Sequence, residues 1–165
     1  MKLERVLPYV KTLLKDTVLP GETVIDATAG NGHDALFMAQ LVGLEGHVYA
    51  FDVQQSAIEA TIARLGEWNH NATVIQVGHE NIEHYVTEKI AAAVFNLGYL
   101  PGADHSIITR SDTTIRAIES CLDLLKVGGL VILVVYHGHE GGEIEKEELL
   151  QYVRSLPQSF VHVLK

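Results

Sequence analysis

The stretch that decides the fold is Val24-Ile25-Asp26-Ala27-Thr28-Ala29-Gly30-Asn31-Gly32-His33-Asp34. A short apolar run from Thr23 to Ala27 leads into a glycine-rich turn, and a helical pattern follows from about Asp34 to Leu41. Glycines at 30 and 32 let the backbone turn sharply and come close to a ligand, because no Cβ stands in the way. The helix behind the turn offers unpaired N–H groups at its start. Strand, tight glycine turn and helix together open a parallel α/β sheet.

Working outward, the same alternation recurs. Further short apolar runs are His47 to Asp52, Thr73 to Val77 and Ala91 to Asn96. Behind the second, Ser56 and Glu59 have capping-box spacing, and Ile58, Ile62 and Leu65 share one helical face. A longer helical pattern carries Ile115, Ile118, Leu122 and Leu125, and Gly128-Gly129 is its predicted stop. Leu130 to Tyr136 is apolar almost throughout, which predicts a fifth strand buried on both faces. A charged helix from about Glu143 to Ser155 and a final extended stretch, Phe160 to Leu164, follow. The expected fold is one α/β domain over residues 1–165: an open, mostly parallel Rossmann-like sheet with helices on both faces. In such sheets ligands bind beyond the carboxyl ends of the strands, at the point where the strand order reverses.

Composition bounds the function classes. The 165 residues are 47% hydrophobic and 20% charged, as in a globular core. Twelve Lys plus Arg face 21 Asp plus Glu, a formal net of −9, against a generic cationic nucleic-acid binder. The single cysteine, Cys121, excludes an intrachain disulfide and a cysteine metal cluster. No apolar run reaches the roughly 18 residues that span a bilayer. A soluble, cytoplasmic protein without membrane contact is expected, and no metal site is expected.

The loops after the strands carry the chemistry. Gly30, Gly32 and Ala35 satisfy a dinucleotide fingerprint, so a nicotinamide cofactor is one reading. Asp26 and Asp34 bracket that loop with negative charge, which suits a cationic centre better than a pyrophosphate. Asp52 ends the second strand 22 residues past Gly30, where a carboxylate can grip both hydroxyls of a ribose. Acid, glycine loop and second acid in this order resemble the class I S-adenosylmethionine-dependent methyltransferases. That resemblance implies that Asp26, Gly30, Asn31, Gly32 and Asp34 hold the methionine half of the cofactor, with Thr28 and His33 also at the cofactor. It places Asp52, Val53 and Gln54 at the ribose and adenine, and His79 or Glu80 near the adenine, although Glu80 or Asn81 also reads as a plain helix start.

Asn96-Leu97-Gly98-Tyr99-Leu100-Pro101-Gly102 follows the fourth strand. It resembles the loop of amino methyltransferases that act on exocyclic nitrogens of bases, with Asn96 and Tyr99 at matching spacing. Leu97-Gly98 stands where those enzymes carry two prolines. Asn96 is read as a catalytic and cofactor-near residue that orients an amine, and Tyr99 as the ring that stacks on the base. Leu100, Pro101 and Arg110 are read as substrate contacts. Tyr136-His137-Gly138-His139-Glu140-Gly141-Gly142 lies at the same sheet end, and His137 or His139 suits proton handling.

The three motifs in order, at 26–34, 96–102 and 136–142, resemble the bacterial rRNA methylase family, whose characterised type is the tRNA 5-aminomethyl-2-thiouridine methyltransferase. The resemblance implies methyl transfer from S-adenosylmethionine to the aminomethyl nitrogen of the wobble uridine. It makes the tRNA anticodon region the partner. An rRNA or small-molecule N-methyltransferase, and a catalytically silent cofactor-binding subunit, remain as alternatives. Members of the wider class finish with two more strands, so either this fold is shortened at its C-terminal end or the sequence is cut there. The first 20 residues carry Lys2, Arg5, Lys11 and Lys15 against Glu4 and Asp16. With Arg110 and Arg116 they form the expected RNA-facing charge, shared between the subunits of a homodimer, and few phosphate contacts predict a shallow salt dependence.

Overall fold

The computed structural model describes residues 4–98, 110–136, 138 and 142–165. Five strands, β1 (Thr23–Asp26), β2 (His47–Phe51), β3 (Ala72–Ile75), β4 (Ile90–Leu97) and β5 (Leu125–Val135), form one sheet. Their order is β3-β2-β1-β4-β5, and every pairing is parallel. The helices are α1 (Val6–Thr17), α2 (His33–Val42), α3 (Gln55–Leu65), α4 (Ser111–Leu124) and α5 (Gly142–Ser155). The expected α/β architecture is therefore present among the described residues.

Alternation along the strands builds two cores, one per face. Val24 of β1 packs with Val48, Ala92 and Val94 beneath α1 and α2, whose Leu14 and Met38 are fully buried. The next residue, Ile25, enters the opposite core with Ala93 and Phe95, covered by Ile118 and Cys121 of α4 and Leu149 of α5. Each buried Val, Leu, Ile, Phe or Met among them contributes about 1.5–3 kcal/mol when removed from water, so helices on both faces follow from a sheet that is apolar on both. No helix among the described residues is long and apolar enough to cross a membrane.

Four local expectations are corrected. Ser56 does not cap α3: Gln54 is the N-cap, without a side-chain bond, and its N–H donates to Asp52 Oδ1 at 3.0 Å. The buried face of α3 is Ile58, Thr61 and Leu65, whereas Ile62 is 42% exposed. The helix α4 ends at Leu124, before the glycine pair. Gly128 and Gly129 lie inside β5, where the register jumps from Ile90↔Leu125 to Ala92↔Leu130. The bulge takes Gly128 at φ +81°, and a Cβ on Gly129 would sit 2.8 Å from Ala91 O.

The strand β5 is the edge of the sheet, and Val134 alone in it is buried, not the whole run. Phe160 to Leu164 joins no strand, and Phe160 and Leu164 are 85% and 95% exposed.

Candidate functional site

Strand order reverses between β1 and β4, which opens a crevice at their carboxyl ends. The loop after β1 lies there. Ala29 N–H donates to Phe51 O at 2.9 Å and Gly32 N–H to Ala29 O at 2.9 Å, so the turn is tied to β2 and closed on itself. Gly32 sits at φ +83°, and a Cβ on it would meet Thr61 Cα at 2.7 Å. Only glycine fits between the loop and α3 at this point.

Asp52 holds the loop from the end of β2. Its Oδ2 accepts the Gly30 N–H at 3.0 Å, and its Oδ1 accepts the Gln54 N–H at 3.0 Å. Each carboxylate oxygen keeps a further lone pair, so a diol can still bind. Two residues on α3 that the sequence reading does not single out complete the cradle. Thr61 Oγ1 donates to Gly30 O at 3.2 Å, and Arg64 Nε donates to Asn31 O at 2.7 Å. The signal for Thr61 is its place on the helix face between Ile58 and Leu65; nothing in the sequence marks Arg64.

Asp26 ends β1 and is fully buried. Its Oδ1 accepts the Thr28 N–H at 3.2 Å, while Oδ2 lacks a hydrogen bond of normal geometry. Burial, reinforced by the charges of Asp34 and Asp52, pushes this carboxyl up to about 8. Three acids thus crowd one end of the sheet, and a ligand that brings positive charge relieves that crowding. A sulfonium nucleoside with an ammonium group fits; a pyrophosphate adds to the repulsion.

Asn96 reaches the same place from β4. Its N–H donates to Thr28 Oγ1 at 2.7 Å, and its side-chain Nδ2 donates to Asp34 Oδ2 at 2.6 Å. Asn96 Oδ1 is buried and has no hydrogen-bond partner among the described residues. Pairing of Asp26 with Val94 places these two loops side by side.

Asn31 and His33 are exposed, Val53 is 51% exposed, and Gln54 is half-buried beside Asp52. Glu80 curls back over Gly78. His79, read from sequence as cofactor-near, is buried. Its Nδ1 lies 3.1 Å from Ala27 O and its Nε2 3.4 Å from Thr114 Oγ1, with the ring against Phe95. A carbonyl only accepts, so Nδ1 carries the proton and the Thr114 hydroxyl donates to Nε2. Burial pushes the His79 pKa down, keeping it neutral. Arg110 is exposed at the start of α4, 3.4 Å from Asp112. Tyr99, Leu100, Pro101, His137 and His139 lie outside the described residues.

The family model described as "Putative rRNA methylase" matches residues 48–165. A curated relative, the chloroplastic tRNA (mnm(5)s(2)U34)-methyltransferase of Arabidopsis thaliana, is 41% identical over 157 residues, 88% of this chain and 57% of its own length. This chain therefore spans little more than half of that relative. Among solved structures, a "putative rRNA-methylase" from Clostridium thermocellum superposes with a TM-score of 0.93 at 40% identity, covering 96% of this chain and 87% of that one. A "putative methyltransferase" from Streptococcus mutans in complex with SAH gives a TM-score of 0.86 at 40% identity, covering 96% and 86%. The fold is that of the class I methyltransferases.

Proposed function

Because the chain belongs to the rRNA methylase family, we propose that it is an S-adenosylmethionine-dependent methyltransferase. Its acceptor is the exocyclic aminomethyl nitrogen of 5-aminomethyl-(2-thio)uridine at the tRNA wobble position. One observation carries the reading: a buried amide oxygen, Asn96 Oδ1, stands without a partner among the described residues beside the glycine cradle. An amine N–H is the group that satisfies it.

The residues divide the work by chemistry. Gly30 and Gly32 leave room for the cofactor against the backbone, and Asp26 with Asp34 offsets positive charge on its methionine half. Asp52 takes the ribose hydroxyls through its remaining lone pairs, with Val53 and Gln54 flanking the adenine. When bound, S-adenosylmethionine supplies a methyl group on a sulfonium, which a neutral amine accepts with loss of one proton. Asn96 orients that amine, so the protein's contribution is alignment more than acid–base chemistry. Tyr99 is assigned to the base, with Leu100, Pro101 and Arg110 beside it, and His137 or His139 to the departing proton. The anticodon region meets this end of the sheet, in a cytoplasmic homodimer. The plant relative's printed reaction supports the choice of acceptor.

The test is mass spectrometry of nucleosides after incubating the protein and S-adenosylmethionine with tRNA that carries 5-aminomethyl-2-thiouridine, and in parallel with rRNA. The expected result is loss of the aminomethyl nucleoside and gain of its methylated product in the tRNA arm. Transfer to rRNA alone, or cofactor binding with no transfer, overturns the reading.

A further inference from the structure

The side-chain amide of Asn96 can turn about its last torsion, exchanging its oxygen and nitrogen with little steric change. Asp34 removes that freedom. Its Oδ2 lies 2.6 Å from Asn96 Nδ2, and an ionised carboxylate only accepts. The turned amide would bring two acceptor oxygens together, so one orientation survives, with Oδ1 facing away from Asp34. That oxygen is the buried atom without a partner among the described residues. The Asn96 backbone is pinned as well, since its N–H donates to Thr28 Oγ1 at 2.7 Å.

We propose that Asp34 is a positioning residue for methyl transfer, locking the Asn96 amide so that Oδ1 is presented to the N–H of the acceptor amine. The inference rests on the reading of Asn96 given above. An amine that donates to Oδ1 keeps its lone pair free for the methyl group. An amide turned the other way would donate its own N–H to that lone pair and block attack. Asp34 thus decides whether the Asn96 contact promotes or opposes the reaction, and its charge strengthens the polarity of the amide it holds.

The test is a double-mutant cycle of Asp34→Ala and Asn96→Ala, with Asp34→Asn, which is isosteric, run through the same cycle. Single-turnover transfer to tRNA is measured at saturating S-adenosylmethionine, and cofactor affinity by calorimetry. Asp34→Ala is expected to slow transfer about tenfold, as for loss of one charge-assisted hydrogen bond, and Asp34→Asn by less, because one acceptor oxygen remains. In the Asn96→Ala background the same change is expected to matter by less than about twofold. Equal losses in both backgrounds, or a loss that saturating cofactor abolishes, overturns the proposal and leaves the role of Asn96 standing. Normal turnover in Asn96→Ala overturns the reading of Asn96 and this proposal with it. A second measurement does not depend on turnover: the Asn96 side-chain amide proton bonded to Asp34 should be shifted downfield in the NMR spectrum and lose that shift in Asp34→Ala. An unchanged resonance overturns the lock.

Discussion

Asp52 and Gly30, 22 residues apart in sequence, are joined by a 3.0 Å hydrogen bond from the Gly30 N–H to Asp52 Oδ2. The acid that follows the second strand therefore shapes the glycine loop, and the proposed function gives it the ribose as well. Both duties fail together if the carboxylate is removed.

Asp52→Ala is expected to weaken S-adenosylmethionine binding by about 10- to 100-fold, the range for losing hydrogen bonds to a charged group. Asp52→Asn should fall between that variant and the wild type, because one acceptor oxygen remains. Calorimetric titration reads both, and unchanged affinity in the alanine variant would remove the ribose role.

Gly32→Ala should destabilise the fold by about 1–3 kcal/mol from the left-handed backbone alone. The contact at 2.7 Å with Thr61 Cα adds to that cost, since the opposing atom is backbone. Gly128 is the control: it sits at φ +81° with nothing within 4 Å of a would-be Cβ. Thermal melts should show the larger drop for Gly32→Ala, at roughly 2–4 °C per kcal/mol. Equal drops would mean that α3 does not press on the loop.

Asp26 makes the cofactor-free protein less stable as pH rises. Its folded pKa of about 8 lies above its ordinary 3.8, so the folded state holds the extra proton between those values. The stability linked to it is fully present below pH 3.8 and is lost as pH climbs through about 8. Asp26→Asn should therefore melt several degrees above the wild type at pH 8 and close to it at pH 4. No gap at pH 8 would show that the carboxyl is not held neutral.

His79 works in the opposite direction. Burial lowers its folded pKa from the ordinary 6.5, so the unfolded chain takes up the proton first as pH falls. Its contribution is fully present above pH 6.5 and is lost on acidification through the lowered value. His79→Gln, which is polar but does not titrate there, should flatten the loss of melting temperature between pH 7 and pH 5. An unaltered slope would place the titrating group elsewhere.

Legibility in the sequence follows the range of the interactions concerned. The glycine turn was readable because positive φ at Gly30 and Gly32 is a local demand. The capping box at Ser56 misled because Asp52 takes the Gln54 N–H and starts α3 two residues earlier. The run after Gly129 reads as a doubly buried strand, yet its burial depends on having neighbours on both sides, and β5 is an edge. His79 reads as a loop residue near a ligand; its burial depends on a carbonyl 52 residues away.

The sequence by itself determined the class of fold and the chemical types at each strand end. Hydrophobic period, glycine placement and acid placement are properties of short segments, and their physics is local. Only the tertiary structure decided which of those strand ends meet. The order β3-β2-β1-β4-β5 sets β4 against β1, and that brings Asn96 to 2.6 Å from Asp34, 62 residues away. Strand order arises from competition among long-range pairings between similar apolar strands, which no single segment encodes. The orientation of one amide follows from that pairing.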